Sequence, residues 1–191
     1  VKEKNKNNST QILVRHPSME NKVIEQVSII ENDFTSNQNL YEGIIYMMFT
    51  IRKNQLIPLY IGNTETYGKS NKNFSDNLKN LKTNKNFFAR WGDGYAYHIG
   101  DLSAVVLHGH KEDIKTSKYI DWANKIFINF PTDNPKLKMP IKFWCKAWKA
   151  NDISIWEEFG HTNLTFLEYL LIGIGSSLFP NDLLNKEGKN R

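Results

Sequence analysis

The stretch that decides the fold is YEGIIYMMFTI (Tyr41 to Ile51), followed by Arg52-Lys53-Asn54-Gln55 and then LIPLYIG (Leu56 to Gly62). The first run is β-branched and aromatic and apolar nearly throughout, the composition of a strand buried on both faces. Two such runs joined by a short polar link read as a β-hairpin. Pro58 has no N–H to give to a ladder, so the second strand belongs at a sheet edge, or Pro58 points outward. Register decides whether Tyr46 and Tyr60 can act together. A two-residue turn at Lys53-Asn54 would pair Tyr46 with Ile61 and send Tyr60 to the opposite face. A shared face therefore demands an odd-length turn, or a bulge between Ile51 and Leu56.

Downstream, Asn63 to Asn86 is polar and Lys-rich, with Phe74, Leu78 and Leu81 forming one helical stripe and Ser75 as a cap. Residues 87–101 are aromatic and Gly-rich, an irregular segment. Ile114, Tyr119, Trp122, Ile126 and Phe127 mark an amphipathic helix over 113–130, broken by Pro131, Asn134 and Pro135. In residues 141–148, Ile141, Phe143, Cys145 and Ala147 alternate with Lys142, Trp144, Lys146 and Trp148, a strand with one buried and one basic-aromatic face. An apolar helix over 163–178 contains one acid, Glu168, and a Pro180…Asn185 segment follows. Upstream, residues 1–10 read as a frayed tail. Val23, Val27 and Ile30 read as a short helix after an interruption at Pro17, and residues 32–39 are turn chemistry that borders the main domain.

The chain has 191 residues and a formal charge of +5, with 40% hydrophobic and 13% aromatic residues, enough for one domain with a core. Mean hydropathy is −0.53, and no apolar run approaches the ~20 residues that span a bilayer. The first ten residues show no apolar segment of a secretory signal, so a cytoplasmic protein is expected, with no membrane partner. A single cysteine, Cys145, excludes an intramolecular disulfide, and its place on the apolar side of a strand makes it a core residue. His108, His110 and Asp113 lack the soft ligands typical of a zinc site and read as a polar helix entry. The pI of 9.1 fits a polyanion-binding protein and a Lys-rich enzyme equally well.

In order, the hairpin motif Gly43-Ile-Ile-Tyr46 … Leu59-Tyr60-Ile-Gly62, the helix Leu167-Glu168 … Ile172, and Phe179-Pro180 … Asn185 resemble the GIY-YIG endonuclease superfamily. The resemblance covers roughly residues 41–190. It differs from the family pattern in its Ile-Ile-Tyr reading and in the spacing of 14 between the tyrosines. No Arg occurs from Asn63 to Lys85, and Arg90 is the first after the motif. The resemblance implies an α/β (α+β) fold, with a small three-stranded antiparallel sheet flanked by helices. An N-terminal extension (1–40) would precede a nuclease-like domain (41–191) that carries an insertion. It further implies a divalent-metal-dependent endonuclease acting on double-stranded DNA and leaving 5′-phosphate and 3′-hydroxyl. Tyr46, Tyr60, Arg90, Glu168 and Asn185 would be catalytic, Glu168 would hold Mg²⁺ or Mn²⁺, and His98 would be an auxiliary phosphate contact.

The residue types suit that chemistry. A hard ion takes oxygen ligands and can sit on one carboxylate plus substrate phosphate and water, the role given to Glu168. A guanidinium pairs with phosphate bidentately, the role given to Arg90. A phenol titrates near 10, so Tyr46 serves as a proton relay only where a cation or metal-bound water lowers that value. Tyr60 would assist at the phosphate or water, and Asn185 would hold the geometry by hydrogen bonds. Lys69, Lys72, Lys79, Lys82 and Lys85 could neutralise phosphates, and the aromatics of the following loop could stack on bases. The plainer readings stay open. The tyrosines could be ordinary strand aromatics, Asn185 a cap, and the lysines a solvated helix face around a non-catalytic nucleic-acid-binding module.

Overall fold

The structure, a computed structural model, describes residues 2–4, 11–13, 15–68, 72–83 and 117–189. The chain divides into two units. One comprises Val1–Glu20 with Thr83–Pro140, the other Asn21–Lys82 with Ile141–Arg191. In the first unit, β1 (Lys2–Lys4) pairs antiparallel with β2 (Gln11–Leu13). Its helix α3 (Ser117–Ile126) ends sooner than the sequence predicts, since Phe127 leaves it for an isolated bridge to Leu137. Trp122, Ile126 and Phe127 are buried, as the stripe requires. Ile114 lies outside the described residues.

The second unit carries the hairpin. Its α1 helix (Pro17–Thr35, which begins in the first unit) is longer than predicted at both ends: Pro17 stands at the helix start, where a missing N–H costs nothing, and residues 32–35, read as turn, continue the helix. Val23, Val27 and Ile30 are its buried stripe. At its C-terminal end, the Asp33 carboxylate accepts the main-chain N–H groups of Leu40 and Tyr41 at 2.9–3.0 Å and so launches the first long strand. That strand, β3 (Tyr41–Arg52), pairs with β4 (Gln55–Glu65) and β5 (Lys142–Lys149) in a three-stranded antiparallel sheet of order β4-β3-β5. Thus β3 is the doubly buried centre and Pro58 sits on an edge strand. Leu78 and Leu81 of helix α2 (Asp76–Thr83) and Phe74 just before it are buried, with Phe34 of α1 packed on Phe74.

Both open edges are engaged. The Gln26 side chain accepts the N–H of Ala147 on β5 at 2.8 Å. On β4, the carbonyl of Leu59 accepts the N–H of Leu184 at 2.7 Å. Helix α4 (Leu164–Leu178) lies over one face of the sheet, with Leu164, Leu167 and Ile172 packed on Ile45, Ile61 and Trp148. Trp148 therefore shares the face of Lys142, Trp144 and Lys146 as predicted, but α4 covers that face at its position. It is buried and donates its indole N–H to the Thr162 carbonyl at 2.7 Å, whereas Lys142, Trp144 and Lys146 remain exposed. Cys145 is half-buried rather than fully in the core. Among the described residues no helix is long and apolar enough to cross a membrane.

Candidate active site

The hairpin turn is Lys53-Asn54, with both residues at positive φ (49° and 63°), the geometry of a two-residue type I′ turn. Left alone, that turn would separate the tyrosines. The ladder corrects it: Phe49 pairs with Pro58 and Met48 with Tyr60, so Leu59 is an extra residue in β4. The bulge falls at the proline and not between Ile51 and Leu56. Pro58 has no N–H to offer, so the ladder is interrupted where one bond is already missing. Beyond the bulge Tyr46 pairs with Gly62, and Tyr46, Met48, Tyr60 and Gly62 share one face. The rings of Tyr46 and Tyr60 lie 6.2 Å apart at 35°, and Phe143 of β5 stacks on Tyr46 at 5.7 Å.

Gly62 makes room for this pair. A Cβ at Gly62 would lie 2.5 Å from Tyr46 Cζ, closer still to its hydroxyl, and 3.0 Å from Tyr60 Cε1. Tyr46 thus lays its ring over the bare backbone of its cross-strand partner. Gly43 has a comparable reason: a Cβ there would lie 2.8 Å from the Cα of Glu65 and nearer still to the Thr64 carbonyl. Each motif glycine stands where two chain segments come too close for a side chain.

Glu168 reaches the site from the other face. Helix α4 is fixed at its start by the Asn163 side chain, which accepts the Phe166 N–H at 2.8 Å, and by Glu42, which accepts the Leu164 N–H. One turn on, the half-buried Glu168 accepts a hydrogen bond of 2.7 Å from Asn63 Nδ2. Asn63 follows Gly62 directly on the edge strand, so the carboxylate comes close to where the Tyr46 ring crosses. Electrostatics show the approach. Tyr46 is 6% exposed, and its phenol is held well above the ordinary value, first by burial, then by Tyr60 and the Glu168 charge, and by its hydrogen bond with Tyr60.

Asn185, 5% exposed, donates from Nδ2 to the Ile61 carbonyl at 2.7 Å and accepts the Ile61 N–H on Oδ1 at 2.9 Å. One side-chain amide thus replaces a neighbouring strand at the residue between Tyr60 and Gly62. Asn185→Ala strands both Ile61 groups and should cost about 2–6 kcal/mol, at 1–3 per unsatisfied buried group. Urea unfolding checks this, and a midpoint equal to that of the wild type would leave Asn185 no part in the edge.

The remaining predicted contacts are dispersed. Lys72 is exposed, Lys79 pairs with Asp76 at 3.4 Å and Lys82 with Glu31. Arg90, Lys69, Lys85, His98, His108 and His110 lie outside the described residues. Among the described residues no group of three His, Cys, Asp or Glu stands ready to hold a metal. Sequence reasoning missed Asn63, Phe143 and the steric role of Gly62. The only signal for Asn63 was its place two positions after Ile61, on the face that meets α4. No family model, curated protein or solved structure matches this chain.

The raised Tyr46 value has a consequence for stability. A group that holds its proton more tightly when folded stabilises the fold fully below its unfolded pKa, here ~10. That contribution is lost as pH rises towards the folded value, because the unfolded chain then releases the proton. Melting temperature should therefore fall more steeply above pH ~10 for the wild type than for Tyr46→Phe. Parallel curves for the two proteins would mean that Tyr46 is not held neutral.

Proposed function

We propose that this chain is a divalent-metal-dependent DNA endonuclease of GIY-YIG type, hydrolysing one phosphodiester to leave 5′-phosphate and 3′-hydroxyl. The observation that carries the reading is the hydrogen-bonded Tyr46–Tyr60 pair, brought to one face by the bulge at Leu59, seated over Gly62 and felt by Glu168. A strand aromatic that only filled the core would need neither the bulge nor the bare glycine.

The chain's own groups divide the work. Burial and its neighbours keep Tyr46 protonated at neutral pH, so it is no ready base. It would relay only once a nearby cation or metal-bound water lowers its value, taking a proton from the attacking water as it hands its own to Tyr60, which releases one to solvent. Glu168, oriented by Asn63, fits a hard ion that needs a single protein carboxylate and completes its shell with water and phosphate. Mg²⁺ or Mn²⁺ so held supplies Lewis acidity and a more acidic water. Asn185 positions Ile61, and through it the residues on either side. Arg90 is the proposed phosphate-binding cation, and Lys72, Lys79 and Lys82 with their neighbours Lys69 and Lys85 are proposed to neutralise the backbone of double-stranded DNA. His98 is proposed as a further phosphate contact, and a cytoplasmic setting suits this activity.

The test is cleavage of supercoiled plasmid with Mg²⁺, with Mn²⁺ and with chelator. Nicked or linear product in the metals alone, sealed by a ligase without prior phosphorylation, is the expected result. Salt-sensitive binding without cleavage in either metal would assign the fold to a non-catalytic nucleic-acid-binding module. The absence of Arg from Asn63 to Lys85 is the feature that favours that second reading.

A further inference from the structure

Helix α4 is apolar almost all round, and a helix of that composition is ordinarily covered on every side. Here one side packs on the sheet and carries Glu168 to the site. The other side is exposed among the described residues. Phe166 and Tyr169 of α4, with Trp156 and Phe159 of the preceding segment, are 41–52% exposed, and Leu178 is 67% exposed. Trp156 packs edge-on against Phe159 at 5.6 Å, and Phe159 against Phe166 at 6.0 Å, so the aromatics form one continuous patch. The helix and Trp156 border an open groove of about 490 Å³ that continues past Gly173 and Ser177 to Leu178.

We infer that this face is the interface of a two-fold dimer of the chain, formed by antiparallel packing of α4 on α4. Two observations select a second copy. The first is self-complementarity. The outward stripe runs Phe166, Leu170, Gly173, Ser177. In an antiparallel two-fold pairing about its midpoint, Ser177 of one copy opposes Phe166 of the other, and Gly173 opposes Leu170. Each row sets a small residue against a large one, as an isologous contact requires. The second is area. At roughly 200 Å² per aromatic side chain, the four aromatics expose about 350 Å². With Leu178 and the half-buried Leu170 and Ile174, the patch reaches roughly 500 Å² per copy. A symmetric pair would bury about 1,000 Å², the threshold of a specific interface. The helix stripe itself carries no charge; the exposed Glu157 and Glu158 sit at its border, between Trp156 and Phe159. This inference is independent of the proposed hydrolysis.

Sedimentation velocity over about 1 to 100 μM, a range that brackets a micromolar Kd, tests it. The expected result is a monomer–dimer equilibrium that persists or tightens in high salt, since apolar burial is not screened. Gly173→Lys should shift it to monomer. A Cβ at Gly173 meets only the Gly188 carbonyl, at 4.0 Å, so the monomer accommodates the change, but close approach of a second helix is blocked. Leu178→Lys, at an exposed position, is the second variant, and circular dichroism confirms that both fold. A wild type that stays monomeric throughout overturns the proposal, as does a dimer unmoved by both variants or dissolved by salt. A monomer that instead co-floats with anionic phospholipid vesicles would overturn it in favour of a lipid surface.

Discussion

Gly62→Ala should lower stability by about 1–3 kcal/mol, the cost of forcing atoms into a filled site, and should reduce cleavage by about a hundredfold or more. The added methyl would fall 2.5 Å from Tyr46 Cζ and 3.0 Å from Tyr60 Cε1. Neither ring yields easily. Tyr46 is stacked on Phe143 and Tyr60 is 8% exposed, so movement of one displaces others. A displacement of ~1 Å at a reacting group is enough for a hundredfold loss of rate. A thermodynamic cycle isolates the cause. In a Tyr46→Ala background the ring is gone, and Gly62→Ala should then cost little. Equal costs in both backgrounds would show that Gly62 is needed for its backbone and not for the tyrosine, and the steric account of the motif would fail.

That pairing of Tyr46 with Gly62 also marks the limit of what the residues disclose in one dimension. The hairpin was legible because two apolar, β-branched runs flank a short polar link, and Pro58 on the edge followed from its missing N–H. That a shared face needs an odd-length turn or a bulge was legible from parity alone. The bulge's position was not, because parity is satisfied by an extra residue anywhere between the tyrosines. Pro58 held the local signal, since a ladder is interrupted most cheaply where a bond is already absent. Asn185 could be read only as a cap or a geometric support. Its actual partner is a peptide group 124 positions away, and no spacing rule connects the two. Trp148 was assigned to the solvent face by alternation. The alternation is real, but α4 covers that face at Trp148 and leaves Trp144 open. The apolar character of α4 was plain from the sequence, while the identity of its uncovered side required the packing. Arg90, assigned from the resemblance alone, falls outside the described residues, so the cation of the site is a matter for mutation.

Glu168→Ala is expected to remove metal-dependent cleavage, by three powers of ten or more. A hard ion that loses its anionic protein ligand no longer stabilises charge at the phosphate, a contribution of several kcal/mol, and each 1.4 kcal/mol is tenfold in rate. DNA binding should survive or tighten, because a negative charge near the phosphate is gone and the lysines are untouched. The slope of affinity against salt should match that of the wild type, since it counts the cations in contact with phosphate. A spectroscopic readout separates a site role from a merely structural one. The Glu168 charge is among the causes that raise the Tyr46 phenol, so ultraviolet titration of the Glu168→Ala protein should show that phenol ionising at lower pH. Loss of cleavage together with this shift places the carboxylate beside both the metal and Tyr46. Undiminished cleavage by a folded Glu168→Ala protein would remove Glu168 from the chemistry. Loss of binding without unfolding would make it an organiser of the DNA surface, with Asn63 as the residue through which it acts.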